Sequence, residues 1–355
     1  MRRTALAAVG VLGVIVAPRP PVRAEPTASI GQSAQALTIG PNVQVSASLP
    51  ATMHGEGMIV ADPTDATRLV VCAMSIDAHR GHGVVTYASA DGGARWARTY
   101  ETPPDGVAGD PACAFGPDGT AYLTMMPMTV SSMSKMRLPL LRSRDGGWTW
   151  QPAGGVTGGL DRESIVVDGT GGRFHNRIYV HGTAGIHGPN GLMRSTVALY
   201  ASADGGRTFG RRAEWAALGG GYLAGAANAV VLSDGRWLTL LIELKNFFET
   251  PVSMAVIRPV YSPPPEPEDV SLKAISSDDG GETLNNPVTV SGVHMPNSYV
   301  RWSETVPAIA ADTTGGPFRD RIYAAWGDSR FGGTDILLSY SADRGQTWSA
   351  PIVVN

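Results

Sequence analysis

SADGGRTF, residues 202–209, is a polar octapeptide closed by an aromatic residue, and this chain writes its pattern five times. The other copies are SADGGARW (89–96), SRDGGWTW (143–150), SDDGGETL (277–284) and SADRGQTW (341–348). Each follows a strand-like run: VVTYASA, MRLPLLRS, TVALYASA, VSLKAISS and DILLSYSA. The pattern reads as a tight hairpin. Glycine supplies the positive φ of such a turn. The Ser hydroxyl and Asp carboxylate are placed to bond backbone N–H groups within it. The terminal ring, replaced by Leu284 in the fourth copy, packs back on neighbouring strands.

The copies lie about 55 to 75 residues apart, too far for a single hairpin and right for a four-stranded sheet. A second feature recurs in phase upstream of each turn: an apolar run, a polar turn and another apolar run. It reads MIVADPTDATRLVVCAMS, ACAFGPDGTAYLTMM, SIVVDGTGGRFHNRIYVHGT, AVVLSDGRWLTLLIEL and AIAADTTGGPFRDRIYAAWGD. Four strands per unit, radially repeated, predict an all-β fold: a β-propeller with five complete units at 54–100, 108–156, 160–217, 222–292 and 300–355. PNVQVS (41–46) resembles the outer-strand endings NPVTVS and APIVVN, so it is a candidate strand of a closing sixth blade. A Pro-rich insertion around 246–270 reads as a surface loop.

The repeated turns resemble the Asp boxes, or BNR repeats, of the sialidase (neuraminidase) superfamily, and the resemblance runs over roughly residues 54–355. It implies a propeller of sialidase-like architecture, usually six-bladed, and a glycan as partner. The implied function is that of a secreted exo-glycosidase acting at the axial pocket. The alternative is a non-catalytic propeller binding glycan or protein, because Asp boxes are structural and occur in both.

Composition agrees with an exported all-β protein. The 355 residues carry a formal charge of −3 with 44 Gly and 26 Pro. That balance gives no basic surface for nucleic acid. Arg2 and Arg3 followed by the short apolar run Thr4–Ala17 and by Val22-Arg23-Ala24 predict a signal peptide over 1–24. A flexible segment (25–40) and the propeller (41–355) follow, in a secreted or periplasmic chain without a later membrane span. Cys72 and Cys113 lie in apolar runs and are expected to be buried thiols, with a disulfide as the alternative. The methionines of 124–136 read as gap-fillers rather than ligands.

Propeller topology sorts the charged residues onto two faces. Asp91, Asp145, Asp204, Asp279 and Asp343 belong to the turns and are expected to be structural. Strand-one starts and strand-two ends gather on the other face, near the axis. There lie Glu56, Asp77, His79, Arg80, Asp110, Asp161, Arg162, Glu163, Tyr222, Tyr299, Arg301, Glu304, Trp326, Asp328 and Arg330. The superfamily resemblance implies a substrate carboxylate held by three arginines. It also implies a tyrosine nucleophile, a glutamate base and an aspartic acid. The candidates are Arg80, Arg162, Arg301 and Arg330, with Glu163 and Asp328, for binding; Tyr299 or Tyr222 as nucleophile; Asp77 or Asp110 as acid; and Glu304, Glu163 or Glu56 as base. The entrance to the first unit reads MHGEGMIV, without the superfamily's Phe/Tyr-Arg-Ile-Pro motif. No cofactor is expected, with Ca²⁺ in a ring of axial acids as the alternative. Arg177 and Arg321, in the matching runs RIYV and RIYA, are expected to pair with Asp168 and Asp312.

Overall fold

The computed structural model describes residues 40–77, 79, 81–128, 136–187, 193–217, 222–224, 226–245, 269–295 and 306–355. The expected signal peptide, most of the segment 25–40, most of the insertion around 246–270, and Arg80, Tyr299, Arg301 and Glu304 lie outside the described residues. A compact unit runs from Val43 to Asn355.

Within it, five antiparallel sheets form the blades of a five-bladed β-propeller. Blade 1 holds β1 (Met53–Asp62), β2 (Asp65–Asp77), β3 (Gly81–Ser89) and β4 (Ala97–Glu101). Blade 2 holds β5 (Ala108–Phe115), β6 (Ala121–Pro127), β7 (Arg137–Ser143) and β8 (Gln151–Thr157). Blade 3 holds β9 (Asp161–Val167), β10 (Ile178–His187), β11 (Met193–Ser202) and β12 (Ala213–Ala216). In blade 4 the inner strand is split into β13 (Tyr222–Ala224) and β14 (Ala229–Val231), both paired with β15 (Trp237–Leu244), and β16 (Val270–Ser277) and β17 (Val288–Gly292) follow. Blade 5 holds β18 (Ala308–Ala311), β19 (Ile322–Asp328), β20 (Asp335–Ser341) and β21 (Ile352–Val353). No helix among the described residues is long and apolar enough to cross a membrane.

The Asp-bearing turns join the third and fourth strands, and their hydrogen bonds repeat from blade to blade. In blade 3 the Ser202 hydroxyl donates to Asp204 at 2.8 Å and accepts from Gly206 N at 3.0 Å. Asp204 also accepts from the Thr208 N–H at 2.9 Å and the Thr208 hydroxyl at 2.7 Å. The Thr208 N–H and hydroxyl hold the Asp204 carboxyl down to about 2. The two central residues take positive φ throughout, including Arg344 (φ 68°) in the one copy without a double glycine. The second glycine has a further reason. A Cβ on Gly147 would lie 2.3 Å from Val70 of blade 1, one on Gly206 2.2 Å from Leu140 of blade 2, and one on Gly345 2.7 Å from Leu238 of blade 4. These turns therefore seat directly on the preceding blade.

The closing residues of the last four turns enter the same interfaces, whereas Trp96 of the first packs against Ala73, Val85 and Tyr87 of its own blade. Trp150 packs with the cluster between blades 1 and 2, Phe209 between 2 and 3, Leu284 between 3 and 4, and Trp348 between 4 and 5. Arginines at the second-strand starts add polar stitches: Arg177 donates to Gly280 O at 2.7 Å and Arg236 to Arg344 O at 2.9 Å, each in the following blade. Arg177 and Arg321 thus do not pair with the carboxylates of Asp168 and Asp312. The link is through backbone, Asp168 N to Arg177 O and Asp312 N to Arg321 O, while the Asp168 carboxylate accepts from Thr170.

Two further expectations are corrected. Cys72 and Cys113 are not thiols but form a disulfide between β2 and β5, joining blades 1 and 2. Neighbouring inner layers bring their Cα atoms to 6.3 Å, within bridging range. PNVQVS forms no strand: Val45–Ser48 make a turn, and Val45 and Leu49 pack on Ala73, Val85 and Tyr87 of blade 1. No apolar cluster joins blade 5 to blade 1 among the described residues. Ile59 of blade 1 is 60% exposed and Tyr340 of blade 5 40%.

Alanine at the two glycines of one turn separates backbone strain from blade contact. Gly205→Ala meets no neighbouring atom and should cost about 1–2 kcal/mol for its left-handed backbone. Gly206→Ala should cost about 1–3 kcal/mol more through overpacking on Leu140, and urea unfolding of both variants measures the difference.

Candidate active site at the axial mouth

Three inner strands break register at the same place. β1 shifts between Gly55 and Met58, β5 between Gly109 and Ala112, and β9 opposite the step from His181 to Thr183. Each break is a bulge whose first residue takes positive φ: Glu56 at 51°, Asp110 at 46° and Arg162 at 53°. Non-glycine residues seldom adopt this backbone, and such strain clusters at functional sites. A bulge also re-aims a side chain. Here it takes one charged residue per blade out of the apolar alternation and turns it toward its neighbours. The Arg162 N–H donates to the Asp110 carboxylate at 3.3 Å, tying blade 3 to blade 2 within the cluster.

Glu56, Asp110, Asp161, Arg162 and Glu163 act on one another. Burial raises the Glu56 carboxyl to about 7, helped by a side-chain hydrogen bond and the charge of Asp110 and opposed by the charge of Arg162. Burial also raises Asp161, with Asp110 adding to the shift and Arg162 opposing it. Glu163 is pushed well above the usual carboxylate range by burial and by the charges of Asp110, Asp161 and Glu56. Asp161 and Glu56 are both exposed, so the neighbouring carboxyl of Asp110 matters to their upward shifts beside the protein that surrounds their carboxyl groups. Glu163 is 5% exposed, and its carboxyl has no hydrogen-bond partner beyond its own backbone N–H.

The other candidates are placed elsewhere or differently employed. Asp77 ends β2 and accepts from His79 N at 2.8 Å. It lines a hollow of about 20 Å³ with Ser75, His82 and Glu101, room for water and not for a sugar. Asp328 is fully buried and accepts from Trp326 Nε1 at 3.1 Å and from Arg330 Nε at 2.9 Å. Arg330 Nη2 reaches Asp328 at 2.8 Å and Gly292 O at 2.7 Å. The Arg330 fork is therefore taken up by Asp328 and the end of β17. Tyr222 begins β13, and its side chain is not described. Asp91, Asp145, Asp204, Asp279 and Asp343 all sit in turns at the opposite strand ends. Asp161, which carries no role in the sequence reasoning, falls within the acid cluster. The sequence signal was a charged residue beside Gly or Pro inside an apolar strand, as in Gly55-Glu56-Gly57 and Asp110-Pro111. No group of three or more His, Cys, Asp or Glu side chains is disposed to hold a metal among the described residues.

No family model matches the chain, and no curated protein matches it in sequence. Solved structures match in fold. A Dyadobacter fermentans protein of unknown function superposes with a TM-score of 0.53 at 15% identity, over 86% of this chain and 84% of that one. A mutant of NanB sialidase from Streptococcus pneumoniae gives 0.53 at 10% identity, over 84% of this chain and 60% of that one. The Hadza microbial sialidase Hz136 gives 0.50 at 16% identity, over 85% and 58%. This chain thus spans about three fifths of either sialidase, and at such identities the likeness establishes the propeller fold.

The acid cluster has a cost that depends on pH. A carboxyl raised in the folded state stabilises fully below its unfolded value of 4.5, and that contribution is lost as pH rises toward the folded value. Glu163→Gln should therefore leave the melting temperature unchanged near pH 4 and raise it increasingly from pH 5 to 9. A lower melting temperature across that range would contradict the burial of this carboxyl.

Proposed function

We propose that the chain is a glycoside hydrolase working at the axial mouth. The observation that carries this reading is the convergence of three equivalent bulges, which bring Glu56, Asp110 and Arg162 together beside Asp161 and Glu163. A carboxyl held near 7 beside other carboxyls is the usual source of a proton for a glycosidic oxygen. In this reading protonated Glu56 gives its proton to the leaving oxygen as the anomeric bond breaks. A carboxylate of the cluster, Asp110 or Asp161, faces the positive charge developing at the anomeric carbon. Water adds to that carbon, and its proton returns through the carboxyl pair to Glu56. Arg162 keeps part of the cluster ionised.

The fold likeness to sialidases supports a sugar as substrate and leaves the sugar open. An exo-sialidase requires an arginine grip. Among the described residues Arg162 is the arginine that acts on the cluster, while Arg330 is held by Asp328. The hydrolase reading therefore rests on the acids and not on sialic acid. Export forms part of the proposal: the Cys72–Cys113 bridge suits an oxidising compartment, as does the apolar leader read in the sequence.

A panel of fluorogenic glycosides, sialosides included, tests the reading. Turnover is expected for at least one sugar, and kcat should fall as pH rises through about 7 and Glu56 loses its proton. Glu56→Gln and Asp110→Asn should each lower kcat roughly 10²-fold or more with the melting temperature kept. A folded, monodisperse chain that turns over none of the panel would make this a binding propeller.

A further inference from the structure

The second copy of the repeated turn keeps Ser143, Asp145, Gly147 and Trp150, the residues that build the hairpin and seat it, and departs from the other copies at three positions. Where Arg142 stands, the others have alanine twice, serine and tyrosine. Where Arg144 stands, they have alanine three times and aspartate. Where Trp148 stands, they have alanine, arginine, glutamate and glutamine. Trp148 is 40% exposed and enters none of the apolar clusters of the described residues. Arg142 and Arg144 make no hydrogen bond or ion pair through their guanidinium groups among the described residues.

Both arginines line one hollow of about 150 Å³, together with Asp145, Thr149 and Gln151. Strand pairing puts them there: Arg142 lies opposite Tyr122 on β6 and Gln151 on β8, and Arg144 follows where β7 runs into the turn. The carboxylates nearby are engaged elsewhere. Asp145 accepts from the Ser143 hydroxyl at 2.6 Å and from the Thr149 N–H and hydroxyl at 2.9 and 2.6 Å. Asp118, whose charge meets those of both arginines at the Tyr122 hydroxyl, accepts from the Thr120 N–H and hydroxyl, each at 3.0 Å.

Two guanidinium forks on one hollow match an oxyanion. A free oxyanion would leave the indole of Trp148 idle, and an apolar ligand would leave the forks idle. A ring with an apolar face and an acidic group uses both. The hollow is small beside the roughly 300–1,000 Å³ of pockets that enclose a whole ligand. It therefore takes the acidic group, while the ring lies outside it on Trp148. The Gln151 amide offers donors and an acceptor, and the Thr149 hydroxyl, its proton given to Asp145, keeps a lone pair; both suit sugar hydroxyls.

We propose that this end of blade 2 is a second glycan-binding site, on the face opposite the axial mouth, for a sugar ring that carries a carboxylate or a sulfate. Trp148 supports the apolar face of the ring, Arg142 and Arg144 hold the acidic group, and Gln151 and Thr149 meet hydroxyls. The site performs no chemistry, and it stands whether or not the axial mouth hydrolyses.

Titration calorimetry on the purified chain, with indole fluorescence as a second readout, tests the site. The probes are tetragalacturonate, a sulfated carrageenan tetrasaccharide, galactotetraose, inorganic sulfate and uridine monophosphate. At least one acidic tetrasaccharide should bind tenfold or more tightly than galactotetraose and inorganic sulfate, and whichever binds names the acid. Trp148→Ala, Arg142→Gln and Arg144→Gln should each weaken that binding at least fivefold. Arg207→Gln, at the matching position in the turn of blade 3, should change it less than twofold. Trp148 and Arg144 are exposed, so their variants carry the test should Arg142→Gln fail to fold by circular dichroism. Galactotetraose, sulfate or uridine monophosphate binding as tightly as the acidic tetrasaccharides overturns the proposal. So does an equal loss in Arg207→Gln, or no binding at all. Turnover in the glycoside panel should be the same for Trp148→Ala as for the unaltered chain, which keeps the two sites separately testable.

Discussion

The structure depends on the close seating of the Asp-bearing turns of blades 2 to 5 against the preceding blade. The space left for the second glycine of these turns is smaller than a methyl group at Gly147, Gly206 and Gly345. That contact fixes how far one sheet rotates from the next. The hydrogen bonds of Ser and Asp inside the turn hold the glycine in its left-handed conformation, and the aromatic residue three positions on fills the interface beside it. Local turn chemistry and blade packing are thus one device, repeated with small changes. The arginine stitches from Arg177 and Arg236 and the bridge between Cys72 and Cys113 act across the same boundaries.

A consequence appears at the far end of the strands. Once the blades are set around an axis, their inner strands converge at one mouth, and whatever the bulges turn outward must share it. Glu56, Asp110 and Arg162 occupy equivalent positions on three strands that are far apart in sequence. Strained backbone, like charges and a buried Glu163 all disfavour the folded state at this spot. The stability that tolerates them comes from the apolar clusters between blades and from the turns. The two faces therefore divide the work: carboxylates with depressed pKa in turns at one end, such as Asp204, and carboxyls with raised pKa, such as Glu56, at the other.

Much of this was legible in the chain. Turn chemistry is local, so the five copies of Ser-x-Asp-x-Gly marked the third-to-fourth strand hairpins, their spacing gave the blade unit, and the alternation of turn types separated the two faces. Glu56, Asp110 and Glu163 could be placed at the axial end from topology alone. Arg330 illustrates the limit. Its position after β19 put it on the correct face, but whether its fork is free depends on Asp328 two residues earlier and on the end of β17, which is a packing outcome.

The sequence by itself determined the all-β class, the five four-stranded units and which end of each strand carries structural carboxylates, because these follow from residues within a few positions of one another. Only the tertiary structure decided that Cys72 and Cys113 bond, that PNVQVS is a turn and not a strand, and that Glu56, Asp110, Asp161, Arg162 and Glu163 form one coupled group. Those outcomes depend on distances between segments roughly 40 to 100 residues apart, and such distances are set by the rotation of one blade on the next, which no local pattern encodes.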